Sequence, residues 1–141
     1  GGNDPDCRKS MVWEEKKQRY ELLQWYHWLI HMRKENPCIR NGEYRTILCE
    51  NEKSIYGFVR FDEEDEIYVI FHNGEDDVKA EVPVLSAGSY ISLPDGKEYI
   101  SENIMEEEKF YNRDILEYEG KVNIHLGAYS VKVIKKINGG I

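Results

Sequence analysis

Tyr44–Val84 reads YRTILCENEKSIYGFVRFDEEDEIYVIFHNGEDDVKAEVPV, and along it apolar side chains recur with a period of 2. Tyr44 to Cys49, Ile55 to Phe61 and Ile67 to His72 are predicted strands, the last two flanking the acidic turn Asp62-Glu63-Glu64-Asp65. In the third strand Ile67, Val69 and Phe71 share one face, while Tyr68, Ile70 and His72 take the other. Both faces are apolar enough to place that strand centrally in a sheet. Asn73-Gly74 is a hairpin turn signal. The next strand alternates Val78, Ala80, Val82 and Val84 against Lys79 and Glu81, and Pro83, which has no amide proton, puts it at an edge.

Downstream, residues 86 to 120 are less regular, with short strands expected at Tyr90 to Leu93, Tyr99 to Ser101 and Ile115 to Tyr118. The turn Pro94-Asp95-Gly96-Lys97 joins the first two of these. Glu106-Glu107-Glu108-Lys109 is compatible with either a loop or a short helix. Val122, Ile124 and Leu126 then alternate with Asn123 and His125, and Gly127-Ala128 turns the chain into a last strand, Tyr129 to Lys135. The expected fold is mainly β, an antiparallel Greek-key β-sandwich of about eight strands preceded by one long α-helix.

That helix lies upstream, between about Glu15 and Pro37, where the period is 3.6. Leu22, Leu23, Trp25, Tyr26, Trp28, Leu29, Ile30 and Met32 fill an arc of roughly 220° at about 100° per residue. A surface helix carries a much narrower apolar stripe. The breadth predicts cover from two sides, one by the β-rich remainder and the other by something outside this chain. The Gly1-Gly2 start, without Met, also reads as interior to a longer polypeptide. Glu14 and Glu15 suit the first turn, Arg33 and Lys34 the last, and Asn36-Pro37 stops the helix.

The net charge of −8, from 27 acidic and 19 basic residues, with the basic ones dispersed, argues against nucleic-acid or anionic-membrane partners. No run approaches the roughly 18 apolar residues of a membrane span. Cys7, Cys38 and Cys49 lack paired C-x-x-C spacing and are read as free thiols, at home in a reducing, cytoplasmic compartment. His27 and His31 share a helix face at the spacing for a common metal, but Trp28 stands where a zinc-hydrolase helix carries Glu, and no third ligand follows. No metal or cofactor is expected. The acidic turns Asp62 to Glu66 and Glu75 to Asp77 lack EF-hand spacing and are read as solvated charge. Phosphate loops, nucleophile elbows and metalloprotease helices are absent.

The opening GGNDPDCRKSMVW is rich in loop formers, and Asp4 with Arg8 at i, i+4 forms either a solvated ion pair or a hydroxyl-binding group. Its combination of Asp4-Pro5-Asp6-Cys7-Arg8 with Met11-Val12-Trp13 resembles the segment after the last barrel strand in the cyclomaltodextrinase and neopullulanase branch of the alpha-amylase family. Leu29-Ile30 through Arg33-Lys34-Glu35-Asn36-Pro37 is similar to the closing barrel helix and its exit. Arg40-Gly42-Glu43-Tyr44 resembles the entry to the domain behind the barrel, and Leu126 with Tyr129-Ser130-Val131-Lys132-Val133 its final strand pair. Ser10 stands where Pro is usual in that branch, Glu14 where Asp is usual, and Gly127 where Pro is common.

The resemblance implies residues 1–37 as the end of a catalytic barrel, with its substrate-side loop and last helix, and 38–141 as a C-terminal β-sandwich domain. It implies a parent that hydrolyses α-glucosidic bonds with retention, on carboxylates upstream of Gly1, so that no catalytic residue lies in this chain. Asp4 and Arg8 match the positions that hydrogen-bond glucose units on the non-reducing side of the cut. Helix 15–36 would pack on the missing barrel, the α-glucan would bind through that barrel, and a homodimeric parent is compatible with the resemblance. Two rival expectations are a stand-alone starch-binding β-sandwich, which needs aromatics exposed together on one strand face, and an interaction domain whose helix docks a protein partner.

Overall fold

The computed structural model describes residues 2–104 and 118–138. The chain divides into two compact units, Gly1–Glu35 and Asn36–Ile141. In the first unit a turn at the start leads through a 3-10 turn, Glu15–Lys17, to helix α1, Tyr20–Glu35. The helix thus begins later than its apolar period suggested. Gln18 is in extended backbone, which interrupts the 3.6 repeat, and its side-chain amide donates to the Val12 carbonyl at 2.8 Å. No residue of α1 is buried; Leu22, Trp25, Leu29 and Ile30 are exposed, and Trp25 meets Trp28 edge-on at 5.4 Å.

Pro37, which ends one helix, opens another. As first residue of the short α2, Pro37–Asn41, it lacks the amide proton that an N-terminus leaves unpaired. Gly42 follows because the chain turns so tightly there that a Cβ would lie 2.4 Å from the Phe61 carbonyl oxygen and 2.5 Å from that of Cys38.

Nine strands occur among the described residues. β1 (Glu43–Glu50) loses the expected alternation at an irregularity between Thr46 and Leu48 that leaves both Ile47 and Leu48 against the core, whereas β2 (Ile55–Phe61), β3 (Glu66–His72), β4 (Val78–Val84), β5 (Ser89–Leu93) and β6 (Glu98–Ile100) follow it. β7 (Glu102–Asn103) is too short to have been legible, and β8 (Gly120–Leu126) and β9 (Ser130–Lys136) close the unit. The expected strand at Ile115 to Tyr118 lies outside the described residues apart from Tyr118, and the Glu106 to Lys109 segment lies outside them entirely. β9 begins one residue later than expected because Tyr129 is left-handed, with φ 47°.

All pairings are antiparallel, in a six-stranded sheet ordered β1-β2-β3-β9-β5-β6 and a three-stranded sheet ordered β4-β8-β7. β4 is an edge strand, as Pro83 requires. β3 lies between β2 and β9, as its two apolar faces require.

One expectation fails. Asn73-Gly74 does not close a hairpin, because β3 pairs with β2 and β9 while β4 pairs with β8. Residues 73–77 instead carry the chain across to the second sheet. The Asn73 amide donates to Ser54 O at 2.9 Å and Gly74 O accepts from the Tyr129 amide at 3.0 Å, so the turn is held by neighbouring turns and not by its own strands. From the second sheet Ala80, Val82 and Val84 face the same core as Val59, Tyr68, Ile70 and Ile134 from the first. Burying each of these Val and Ile side chains is worth about 1.5–3 kcal/mol.

Glu66 is a second correction. Grouped with a solvated acidic turn, it proves to be the first residue of β3, only 9% exposed, and it accepts from Tyr68 Oη at 2.6 Å and from the Ser86 hydroxyl. Tyr68 Oη also accepts from the Leu85 amide at 2.8 Å. Asp62, Glu63 and Glu64 are exposed as read, and Asp62 Oδ1 accepts from the Glu64 and Asp65 amides at 3.0 and 2.9 Å and closes the β2–β3 hairpin, whereas Asp65 is half-buried and accepts from Lys135 Nζ at 2.9 Å.

Candidate functional site

The opening loop forms a compact turn. The Cys7 amide donates to Asn3 O at 3.1 Å and the Arg8 amide to Pro5 O at 2.9 Å, which returns Arg8 beside Asp4. There the guanidinium forks onto the carboxylate, Nε to Oδ1 at 2.6 Å and Nη2 to Oδ2 at 2.7 Å. Two parallel charge-assisted bonds fix the relative orientation of the two planar groups. Both side chains remain well exposed, 74% for Arg8 and 60% for Asp4. Arg carries five N–H donors and a carboxylate about four acceptor positions, so the pair keeps both kinds of group turned to solvent. Such a paired surface offers charge-assisted donors and acceptors side by side to any neutral polar group.

The other residues singled out in the sequence separate. On α1 His31 Nε2 lies 3.4 Å from Glu35 Oε1, an exposed i, i+4 contact. Among the described residues no group of three or more His, Cys, Asp or Glu is arranged to hold a metal ion. Cys7 and Cys49 are exposed free thiols, and Cys38 is a buried one. Burial, reinforced by Asp62 and Asp65, pushes the Cys38 thiol up from 9.0 to about 11. Among the described residues no helix is long and apolar enough to cross a membrane.

Sequence reasoning missed an aromatic group on the six-stranded sheet. Tyr44, Tyr56 and Phe71 are exposed around Phe58, with ring centroids 5.1, 6.3 and 6.3 Å from the Phe58 ring. Its signal was present in the double apolar pattern of β3, which predicts a second covered face as well as a central position.

Two antiparallel sheets sharing one core, with β9 returned between β3 and β5, define a Greek-key β-sandwich. Residues 41–137 match the model of the alpha amylase C-terminal all-beta domain, and the chain belongs to that family. Among curated proteins, the cyclomaltodextrinase of Geobacillus thermopakistaniensis (strain MAS1) is 28% identical over 103 residues, 72% of this chain and 18% of its own. Neopullulanase 2 of Thermoactinomyces vulgaris is 32% identical over 100 residues, 70% of this chain and 17% of its own. A solved cyclomaltodextrinase structure superposes with a TM-score of 0.73 at 21% identity, covering 96% of this chain and 21% of that one. The chain therefore spans about a fifth of the length of these relatives.

Proposed function

We propose that this chain is the C-terminal portion of a retaining hydrolase of α-glucans, acting on cyclodextrins, pullulan or maltooligosaccharides. The observation that carries the reading is the family match over residues 41–137, in a chain whose relatives bear the names cyclomaltodextrinase and neopullulanase. In this reading residues 1–37 close a catalytic barrel, and its nucleophile and acid/base carboxylates lie upstream. The exposed Leu22, Trp25, Leu29 and Ile30 of α1 are the side chains that barrel would cover. The sandwich is structural and stabilises the barrel. The free thiols of Cys7 and Cys49 suit a reducing, cytoplasmic setting.

By itself the chain is inactive. Assay of the 141 residues on cyclodextrins and pullulan tests this, and turnover comparable to that of a full-length relative refutes it. Asp4 and Arg8 bind and orient glucose units on the non-reducing side of the cleaved bond, holding substrate and transition state alike. In the full-length enzyme Asp4→Ala and Arg8→Ala therefore raise KM for maltooligosaccharides more than they lower kcat. A fall of about tenfold in kcat at unchanged KM would assign the pair to the transition state instead.

A further inference from the structure

Asn-Gly occurs at Asn41-Gly42, Asn73-Gly74 and Asn138-Gly139. In this dipeptide the side-chain carbonyl carbon of Asn can be attacked by the amide nitrogen of the next residue, and glycine, with no Cβ, leaves that nitrogen the freest approach. A fold suppresses the attack where it holds either reacting group in a hydrogen bond that must first break. At Asn41 the nitrogen is held, since the Gly42 amide donates to Cys38 O at 3.0 Å. At Asn138 the side chain is held, with Nδ2 donating to Glu64 O at 2.8 Å and to Asp65 Oδ1 at 3.2 Å. At Asn73 neither is. Asn73 is exposed, and among the described residues neither its side chain nor the Gly74 amide has a hydrogen-bond partner.

A base stands beside the same dipeptide. His72 is buried, and its Nδ1 lies 2.8 Å from Gly127 O. A carbonyl oxygen only accepts, so Nδ1 carries the proton and the neutral ring keeps its lone pair on Nε2. Nε2 is 2.6 Å from the point where a Cβ on Gly74 would stand. The basic nitrogen is thus set against the residue whose amide reacts, where a general base works directly or through one water.

We infer that His72-Asn73-Gly74 is a self-modification site, at which Asn73 converts to aspartate and isoaspartate with His72 Nε2 as the base. Gly74 N gives its proton to Nε2 and bonds to Asn73 Cγ. The Cγ–Nδ2 bond breaks, and the side-chain nitrogen takes that proton and leaves as ammonia. Water then opens the resulting cyclic imide, giving aspartate when it adds at Cγ and isoaspartate when it adds at the Asn73 backbone carbonyl carbon. The reaction consumes only water and changes no oxidation state. Either product puts a new carboxylate beside Glu75, Asp76 and Asp77. Isoaspartate also lengthens the main chain by one atom between Asn73 N and Gly74 O, the two atoms that tie the crossing between the sheets to Ser54 and Tyr129.

The full-length protein is aged in neutral buffer, folded or in urea, and peptide mapping by mass spectrometry reads the exchange of NH for O at each Asn. Folded, Asn73 should convert at least about tenfold faster than Asn41 and Asn138, whereas in urea the three should fall within about threefold of one another, because the fold alone separates them. Folded rates within about threefold of one another overturn the inference. His72→Gln keeps an amide that can donate to Gly127 O and removes the basic nitrogen. It should slow Asn73 at least about tenfold, the low side of what a positioned base contributes, and leave Asn41 and Asn138 as they were. An unchanged or faster Asn73 in a variant whose other two sites stay protected overturns the role of His72. Where the variant does not fold, seen as Asn41 and Asn138 converting at their urea rates, the unaltered protein decides: Asn73 should convert faster folded than in urea, and a folded rate at or below the urea rate overturns the inference.

Discussion

Asp4 and Glu66 are both carboxylates held by short bonds to neighbouring side chains, and their surroundings are opposite. Asp4 pairs with Arg8 in a loop where both side chains face solvent. Water can replace either member of that pair, so it contributes little to stability and is free to be re-aimed by a ligand. Glu66 is buried. Oε2 accepts from Tyr68 at 2.6 Å and lies 3.4 Å from Tyr90 Oη, while Oε1 accepts from Ser86 and lies 3.8 Å from Lys136 Nζ. Burial, with the Glu66 carboxylate beside it, raises the Tyr68 hydroxyl far above the usual tyrosine range. Burial and the charge of Glu66 do the same to Tyr90. Both hydroxyls remain donors at every physiological pH. A carboxylate so enclosed belongs to the fold, whereas one so exposed is open to exchange with solvent.

The comparison breaks most visibly at Glu66. Glu66→Ala leaves the Tyr68 and Ser86 hydroxyls without their acceptor in the interior, and should cost about 3 kcal/mol in urea denaturation. A loss below about 1 kcal/mol would mean that water reaches the site and that Glu66 resembles Asp4 after all. Asp4→Ala, measured in parallel, should leave the midpoint where it was.

Which of the two carboxylates was legible in the sequence follows from where their partners lie. Asp4 and Arg8 are four residues apart, so their pairing was a matter of local spacing. Glu66 sat at the end of an acidic run, Asp62 to Glu66; of its partners only Tyr68 is local, while Ser86, Tyr90 and Lys136 come from other strands and loops. The same division runs through the fold. Strand positions, the central place of β3 and the edge place of β4 followed from alternation and from Pro83, all local signals. The crossing at Asn73-Gly74 did not, since whether a turn closes a hairpin or changes sheet depends on which distant strand accepts the next one, here β8.

The cysteines sharpen the contrast with a chemical readout. Cys38 has its thiol raised to about 11 by burial and by Asp62 and Asp65, while Cys7 and Cys49 are exposed. Alkylation proceeds through the thiolate. Iodoacetamide at pH 8 on the native chain should therefore give two adducts by mass spectrometry, at Cys7 and Cys49, and a third only after denaturation. Labelling of native Cys38 at a rate similar to Cys7 would show that α2 leaves the sheet too readily to protect it.

Asp95 falls between the two extremes, and supplies the smallest expected effect. It is half exposed, less than Asp4, and Lys132 Nζ donates to it at 2.6 Å and the Lys97 amide at 3.2 Å. Chiefly through Lys132, these bonds lower its carboxyl from 3.8 to about 2. Because the folded value lies below the unfolded one, the ionised form is the stabilising form. Its contribution is complete above about pH 4 and is lost as pH falls through about 2. Screening by solvent keeps that contribution below about 1 kcal/mol. Asp95→Asn retains an acceptor for the Lys97 amide and removes the charge. Its thermal midpoint should sit slightly below that of the parent sequence from pH 7 to about 5, and the gap should close between about pH 4 and 2. A gap that widened on acidification would mean that the protonated form of Asp95 is the stabilising one, and would move Asp95 away from the exposed, exchangeable behaviour of Asp4.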